Sequence, residues 1–124
     1  EIKIGEKVRG LMNSKPIFLC GRTSLGVLAA VLKRASLLIS NDSGPVHIAC
    51  AVETPVISIF SRNEKGLSPA RWGPYGERNA VVHKDVGCVK CLAHNCNKGF
   101  LCLYSITVDE ILEKAEELLK GAEK

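Results

Sequence analysis

The sequence predicts an α/β domain with a parallel sheet, on two observations. Short apolar runs alternate with segments of helical periodicity, and those runs are apolar throughout instead of at every second position. A strand apolar on both sides is expected to be buried on both faces, and the intervening helices imply right-handed crossovers between parallel neighbours. With 124 residues, 46% of them apolar, the chain can bury one core and reads as one unit over residues 1–124.

Ile4, Val8, Leu11 and Met12 recur at helical spacing, so the opening segment is expected to be an amphipathic helix ending near Asn13. Residues 17–20 form the first apolar run, ended by Gly21, and Ser24 caps a second helix that runs to Arg34. Residues 37–40 are the next strand, followed by a polar turn, a short helix to about Val52 and the β-rich run 56–60. Residues 61–76 are rich in Gly, Pro, Arg and Asn and read as a long working loop, where Trp72 and Tyr75 either line the acceptor cleft or, the plainer reading, pin the loop to the domain. Residues 80–83 make a last short strand. Thr107-Val108-Asp109-Glu110 has the form of a capping box. The helix it opens carries Ile111, Leu112, Ala115, Leu118 and Leu119 on one face.

The chain opens at Glu1 with neither an initiator methionine nor a secretory signal, and it reads as a piece cut from a longer protein. No apolar stretch approaches the roughly 20 residues of a bilayer span. A balance of 17 Lys and Arg against 13 Asp and Glu gives +4, which suits phosphate-bearing partners but lacks the density of a dedicated nucleic-acid binder.

The most informative segment is Ser40-Asn41-Asp42-Ser43-Gly44-Pro45-Val46-His47, which sets polar and flexible residues between an apolar strand and an apolar helix. Pro45 suits the first position of a helix, where its missing N–H costs nothing, and Ser43 or Gly44 the cap, so the helix points its N-terminus into the turn. Free N–H groups and the helix dipole would favour a phosphate there, with Gly44 letting it approach the main chain. The ordinary alternative is that Asp42 and Ser43 only cap the helix and His47 is a hydrogen-bonded core residue. Neither a Gly-x-Gly-x-x-Gly fingerprint nor a Gly-Lys-Ser/Thr loop is present.

Four blocks in order carry a resemblance: Gly21-Arg22-Thr23-Ser24-Leu25, Asn41 to Ala49 with its Asp-Ser-Gly-Pro-x-His-x-Ala core, Thr54-Pro55-Val56, and Arg71-Trp72-Gly73-Pro74-Tyr75-Gly76. Together they resemble glycosyltransferase family 9, which includes the bacterial lipopolysaccharide heptosyltransferases. The resemblance implies a Rossmann-like parallel sheet with flanking helices, the C-terminal half of a GT-B fold. That half would bind a nucleotide diphosphate sugar, typically ADP-heptose. It also implies that Thr23 and Ser24 line the base pocket, while Asp42, Ser43, Gly44 and His47 meet the diphosphate and sugar.

The catalytic carboxylate of the inverting reaction is implied on an absent N-terminal domain, which would take the lipid-linked saccharide acceptor. No catalytic residue is therefore expected in this chain, and no cofactor is required. The location implied is cytoplasmic, at the inner face of the bacterial inner membrane, with peripheral membrane association. One departure from the family pattern is Ser61-Arg62-Asn63, where relatives often read Gly-Pro-Thr; Arg62 is either a cation for a phosphate or solvated.

Six cysteines fall into two groups. Cys20 and Cys50 read as small buried hydrophobes. Cys88, Cys91, Cys96 and Cys102, with His83 and His94 nearby, have the composition of a zinc site, of disulfides or of free thiols, and the sequence leaves all three open. Similar four-cysteine stretches belong to the family resemblance. The competing function is a non-catalytic, zinc-stabilised nucleic-acid-binding module using Arg78, Lys84, Lys90 and Lys98, although aromatic residues for base stacking are few.

Overall fold

A computed structural model of the chain describes residues 1–62, 64–91 and 93–121. Its sheet has three strands, β1 (Leu38–Asn41), β2 (Val56–Phe60) and β3 (Asn79–His83), in the order β1-β2-β3 with both pairings parallel. Helix α1 (Ile2–Leu11) precedes α2 (Leu25–Arg34), which leads into β1, and α3 (Gly44–Ala51) is the crossover from β1 to β2. Among the described residues, the connection from β2 to β3 contains only the single turn α4 (Pro69–Trp72). After β3 come a 3₁₀ turn at Ala93–Asn95, α5 (Leu101–Tyr104) and α6 (Val108–Lys120).

Adjacent residues of a strand point to opposite faces, and β2 shows the consequence. Val56 joins Leu32 of α2 and Val46 and Ala49 of α3 in one core, whereas Ile57 joins Val82 of β3 and Ala115 of α6 in another. Helices α2 and α3 thus cover one face and α6 the other. The expected burial on both faces holds for β2, where Val56, Ile57, Ser58 and Phe60 are fully buried.

It does not hold for β1, whose residues alternate between half-buried and exposed, with Ile39 47% exposed. An edge strand has a neighbour on one side only, so apolar composition does not by itself enclose it. Residues 17–20 depart further from expectation and form no strand. Ile17 is 88% exposed, Cys20 is exposed instead of buried, and the Leu19 carbonyl closes a turn with the Arg22 N–H at 3.0 Å. With no neighbour to pair its backbone groups, an apolar run leaves them to water. Phe18 instead meets the Arg9 guanidinium of α1, 4.7 Å from its ring centre. Cys50 is half-buried against the α2–α3 core.

Helix termini follow the sequence more closely. Ser24 Oγ accepts the Val27 N–H at 3.3 Å and Thr107 Oγ1 accepts the Glu110 N–H at 3.2 Å, so both expected caps form. The Glu110 carboxylate, however, pairs with Lys84 Nζ at 2.9 Å. On α6, Ile111, Ala115 and Leu118 face the sheet, while Leu112 and Leu119 of the same expected face are 54% and 40% exposed.

Two polar side chains fasten the sheet's lower edge. Thr54, buried, donates from its hydroxyl to the Leu32 carbonyl at the end of α2 (2.6 Å). Asn79 Oδ1 accepts the N–H of buried Val56 at 2.9 Å, while its Nδ2 donates to the Tyr75 carbonyl at 2.7 Å. Asn79→Ala leaves the Val56 N–H without its partner, and such a loss costs about 1–3 kcal/mol. The expected result is a lower urea midpoint at unchanged slope; an unchanged midpoint would show that the bond adds nothing.

Candidate functional site

A parallel sheet gathers its connecting turns at the carboxyl ends of its strands, and ligands bind there in such folds. Because α2 and α3 each run back along the sheet to feed the start of the next strand, both helix N-termini face this edge. The two helices share the core at Leu28, Leu32, Val46 and Ala49, so Thr23 and Ser24 lie at the same end of the domain as the turn after β1. Thr23 is half-buried and Ser24 exposed, with the Ser24 hydroxyl already engaged as a cap.

The turn itself is open. Asn41, Asp42, Ser43, Gly44 and His47 are all exposed, so His47 is not a core residue. The Asp42 N–H extends the β1–β2 ladder by donating to the Ile59 carbonyl at 3.0 Å, which fixes the backbone, and its carboxylate forms no ion pair among the described residues. Ser43 occupies the N-cap position of α3, yet its hydroxyl makes no cap bond. It lies 3.1 Å from the Asn41 carbonyl and 3.2 Å from Ser40 Oγ, which is itself 3.0 Å from that carbonyl.

Two hydroxyl protons serve these three contacts, so the cluster ties the turn back on itself and away from the helix. Helices α2 and α6 are closed by their own side chains, whereas α3 is not. Pro45 lies in the first turn and contributes no N–H. The Gly44 N–H finds no acceptor among the described residues, and a Cβ built on Gly44 meets nothing within 4 Å. The amide of Gly44 is thus unengaged among the described residues, and the side on which a Cβ would stand is open.

The long loop reaches this turn through Trp72. Its ring stands edge-on to His47, with centroids 6.2 Å apart at 65°, and its Nε1 donates to the Gly66 carbonyl at 2.8 Å. The Arg71 guanidinium lies 5.3 Å from the Trp72 ring centre, so a cation packs on the same indole that meets the imidazole. Gly73 ends α4 where only glycine fits, since a Cβ there would strike the Pro69 carbonyl. Trp72 thus pins the loop as expected. Tyr75, 90% exposed, does so only through its backbone carbonyl. The contact of Trp72 with His47 is not legible from spacing alone.

Beyond the ends of β2 and β3, the cysteine stretch surrounds a cavity of about 290 Å³. Cys88, Cys91, Cys96 and Cys102 line it together with His83 and His94, and Arg62 lies there too. None of these cysteines is in a disulfide, and no three Cys, His, Asp or Glu side chains among the described residues converge on one point. Of the basic residues proposed as a nucleic-acid face, Lys84, Lys90 and Lys98 line this cavity, and three of the four are engaged within the chain: Lys84 pairs with Glu110, Arg78 donates to the Glu53 carbonyl and Lys98 to the carbonyls of Val86 and Gly87. No helix among the described residues is long and apolar enough to cross a membrane.

Residues 1–101 match the family model of glycosyltransferase family 9 (heptosyltransferase). The chain is 29% identical to lipooligosaccharide heptosyltransferase 2 of Campylobacter jejuni over 89% of its own length and 34% of that protein's. It is 32% identical to lipopolysaccharide heptosyltransferase 3 of Escherichia coli, over 94% of this chain and 33% of that one. A crystal structure of a family 9 glycosyl transferase from Veillonella parvula superimposes with a TM-score of 0.77 at 29% identity, covering 96% of this chain and 33% of that one. The chain therefore spans about a third of the length of these relatives.

Proposed function

The chain belongs to glycosyltransferase family 9, the heptosyltransferase family, and from that premise we propose that residues 1–124 are the C-terminal, nucleotide-sugar-binding domain of a GT-B enzyme. In this reading the whole enzyme moves a heptose or related sugar from a nucleotide diphosphate sugar, ADP-heptose, to a lipopolysaccharide core, with inversion at the transferred carbon. The acceptor and the catalytic base belong to a second domain, and this chain alone does not catalyse transfer. The parent enzyme works in the cytoplasm, peripheral to the inner face of the membrane that carries its lipid-linked acceptor.

The observation that carries the donor role is the open N-terminus of α3, where the Ser43 hydroxyl turns away and the Gly44 amide has no acceptor among the described residues. Cleavage of a sugar–diphosphate bond builds negative charge on the departing nucleotide. Preorganised N–H groups at a helix terminus stabilise that charge without reorganising at the moment of reaction. The Ser43 and Gly44 amides take the diphosphate, and His47, steadied by Trp72, donates from its ring.

The Asp42 carboxylate would repel phosphate, so it suits the sugar hydroxyls, to which it offers acceptors. Thr23 and Ser24 face the base at the neighbouring helix terminus. Protein groups meet the charge in this scheme, which invokes no cofactor. Titrating the chain with ADP while following backbone amide shifts tests it: Ser43 and Gly44 should move most. Shifts elsewhere with this turn unmoved would reject the donor site.

A further inference from the structure

We propose that the cavity beyond β3 is a zinc site, with His83 Nε2 as the nitrogen ligand and three of Cys88, Cys91, Cys96 and Cys102 as thiolate ligands. The carrying observation is the wiring of His83, the last residue of β3. Its Nδ1 lies 3.1 Å from the Phe60 carbonyl. A carbonyl only accepts, so Nδ1 carries a proton, and in the neutral imidazole this leaves Nε2 as the lone-pair nitrogen. That Nε2 is buried and has no hydrogen-bond partner among the described residues.

An unsatisfied buried acceptor is costly, and this arrangement, one ring nitrogen held by a backbone carbonyl and the other free, is how metal-bound imidazoles are oriented. The free nitrogen belongs to a side chain lining the same cavity as the four thiols. Two disulfides would consume the sulfurs and leave Nε2 as it is. A single zinc satisfies both.

The surrounding chain suits a thiolate site. Cys88 and Cys91 have the spacing at which one short turn presents two sulfurs to an ion. Cys96 Sγ already accepts the Phe100 N–H at 3.3 Å, a bond that strengthens when the sulfur is a thiolate. Phe100 is held at φ 59, in the left-handed region that a bulky residue seldom adopts without compensation.

Lys98 Nζ donates to the carbonyls of Val86 and Gly87 at 2.6 and 3.1 Å, so the arm before Cys88 is tied to the arm carrying Cys96 and Cys102. Three thiolates on one zinc leave a net charge of −1, and Arg62, Lys90 and Lys98 line the cavity to offset it. The donors are not yet gathered to one point, so the ion is expected to draw the 88–102 stretch inward onto the fixed imidazole.

Metal analysis of the chain purified under reducing conditions without chelator should find one zinc per chain. Replacement by cobalt(II) should give the absorption of a tetrahedral site with three sulfurs and one nitrogen. His83→Ala should weaken zinc binding by at least about 10- to 100-fold, the loss that even outer partners of a metal ligand cause. Cys20→Ser should bind zinc as the unaltered chain does. Wild-type protein without zinc, with six reactive thiols or with disulfides by mass, would overturn the proposal. So would a four-sulfur cobalt spectrum, which reads the ligand set even if His83→Ala fails to fold.

Discussion

Gly44→Ala is expected to weaken ADP binding by about 10- to 100-fold while leaving thermal unfolding where it is or slightly higher. The added methyl meets no protein atom within 4 Å, so the fold has no reason to resist it. Gly44 is the first residue of α3, and alanine is the better helix former by up to about 1 kcal/mol. The only thing the methyl can obstruct is an approach from outside.

A hydrogen bond to a charged group is worth about 1.5–3 kcal/mol, which sets the expected loss if a phosphate can no longer close on the Gly44 amide. Calorimetry with ADP, paired with a melting curve on the same sample, separates the two effects. Unchanged affinity would place the nucleotide elsewhere. Lower stability together with lower affinity would show that Gly44 serves the fold.

The sequence revealed this turn because it places chemistry where packing needs none, but it could not say which way Ser43 would face. Serine at an N-cap position ordinarily closes the helix, as Ser24 and Thr107 do here. Only the position of Ser40 and the Asn41 carbonyl, one strand end away, shows that the Ser43 hydroxyl is drawn backwards. The same holds for His47. Its place in the first turn could be read directly, whereas its contact with Trp72 depends on how 61–76 folds back.

Strand reading met a related limit. The runs at 17–20, 37–40 and 56–60 look alike as composition, yet only Val56–Phe60 lies between two neighbours. Composition reports a capacity for burial, and pairing decides whether it is used. The orphaned nitrogen of His83 was equally hidden, because it depends on the Phe60 carbonyl of the adjacent strand, 23 residues away.

That difference between β1 and β2 sets the second large effect. Phe60→Ala is expected to cost about 3–5 kcal/mol, the usual loss for emptying a buried aromatic site. Phe60 is the largest of the fully buried side chains, and its strand links the core under α2 and α3 to the core under α6. Against a total stability of about 5–15 kcal/mol for a domain, the loss brings the chain close to unfolding.

Ile39→Thr, by contrast, removes an apolar side chain of similar branching from the exposed side of β1. It should stay within about 0.5 kcal/mol of the starting protein, as surface substitutions do. Urea unfolding of the two variants measures the contrast directly. Comparable losses would mean that Ile39 is covered in solution, and that the edge of β1 is not the free surface its 47% exposure describes.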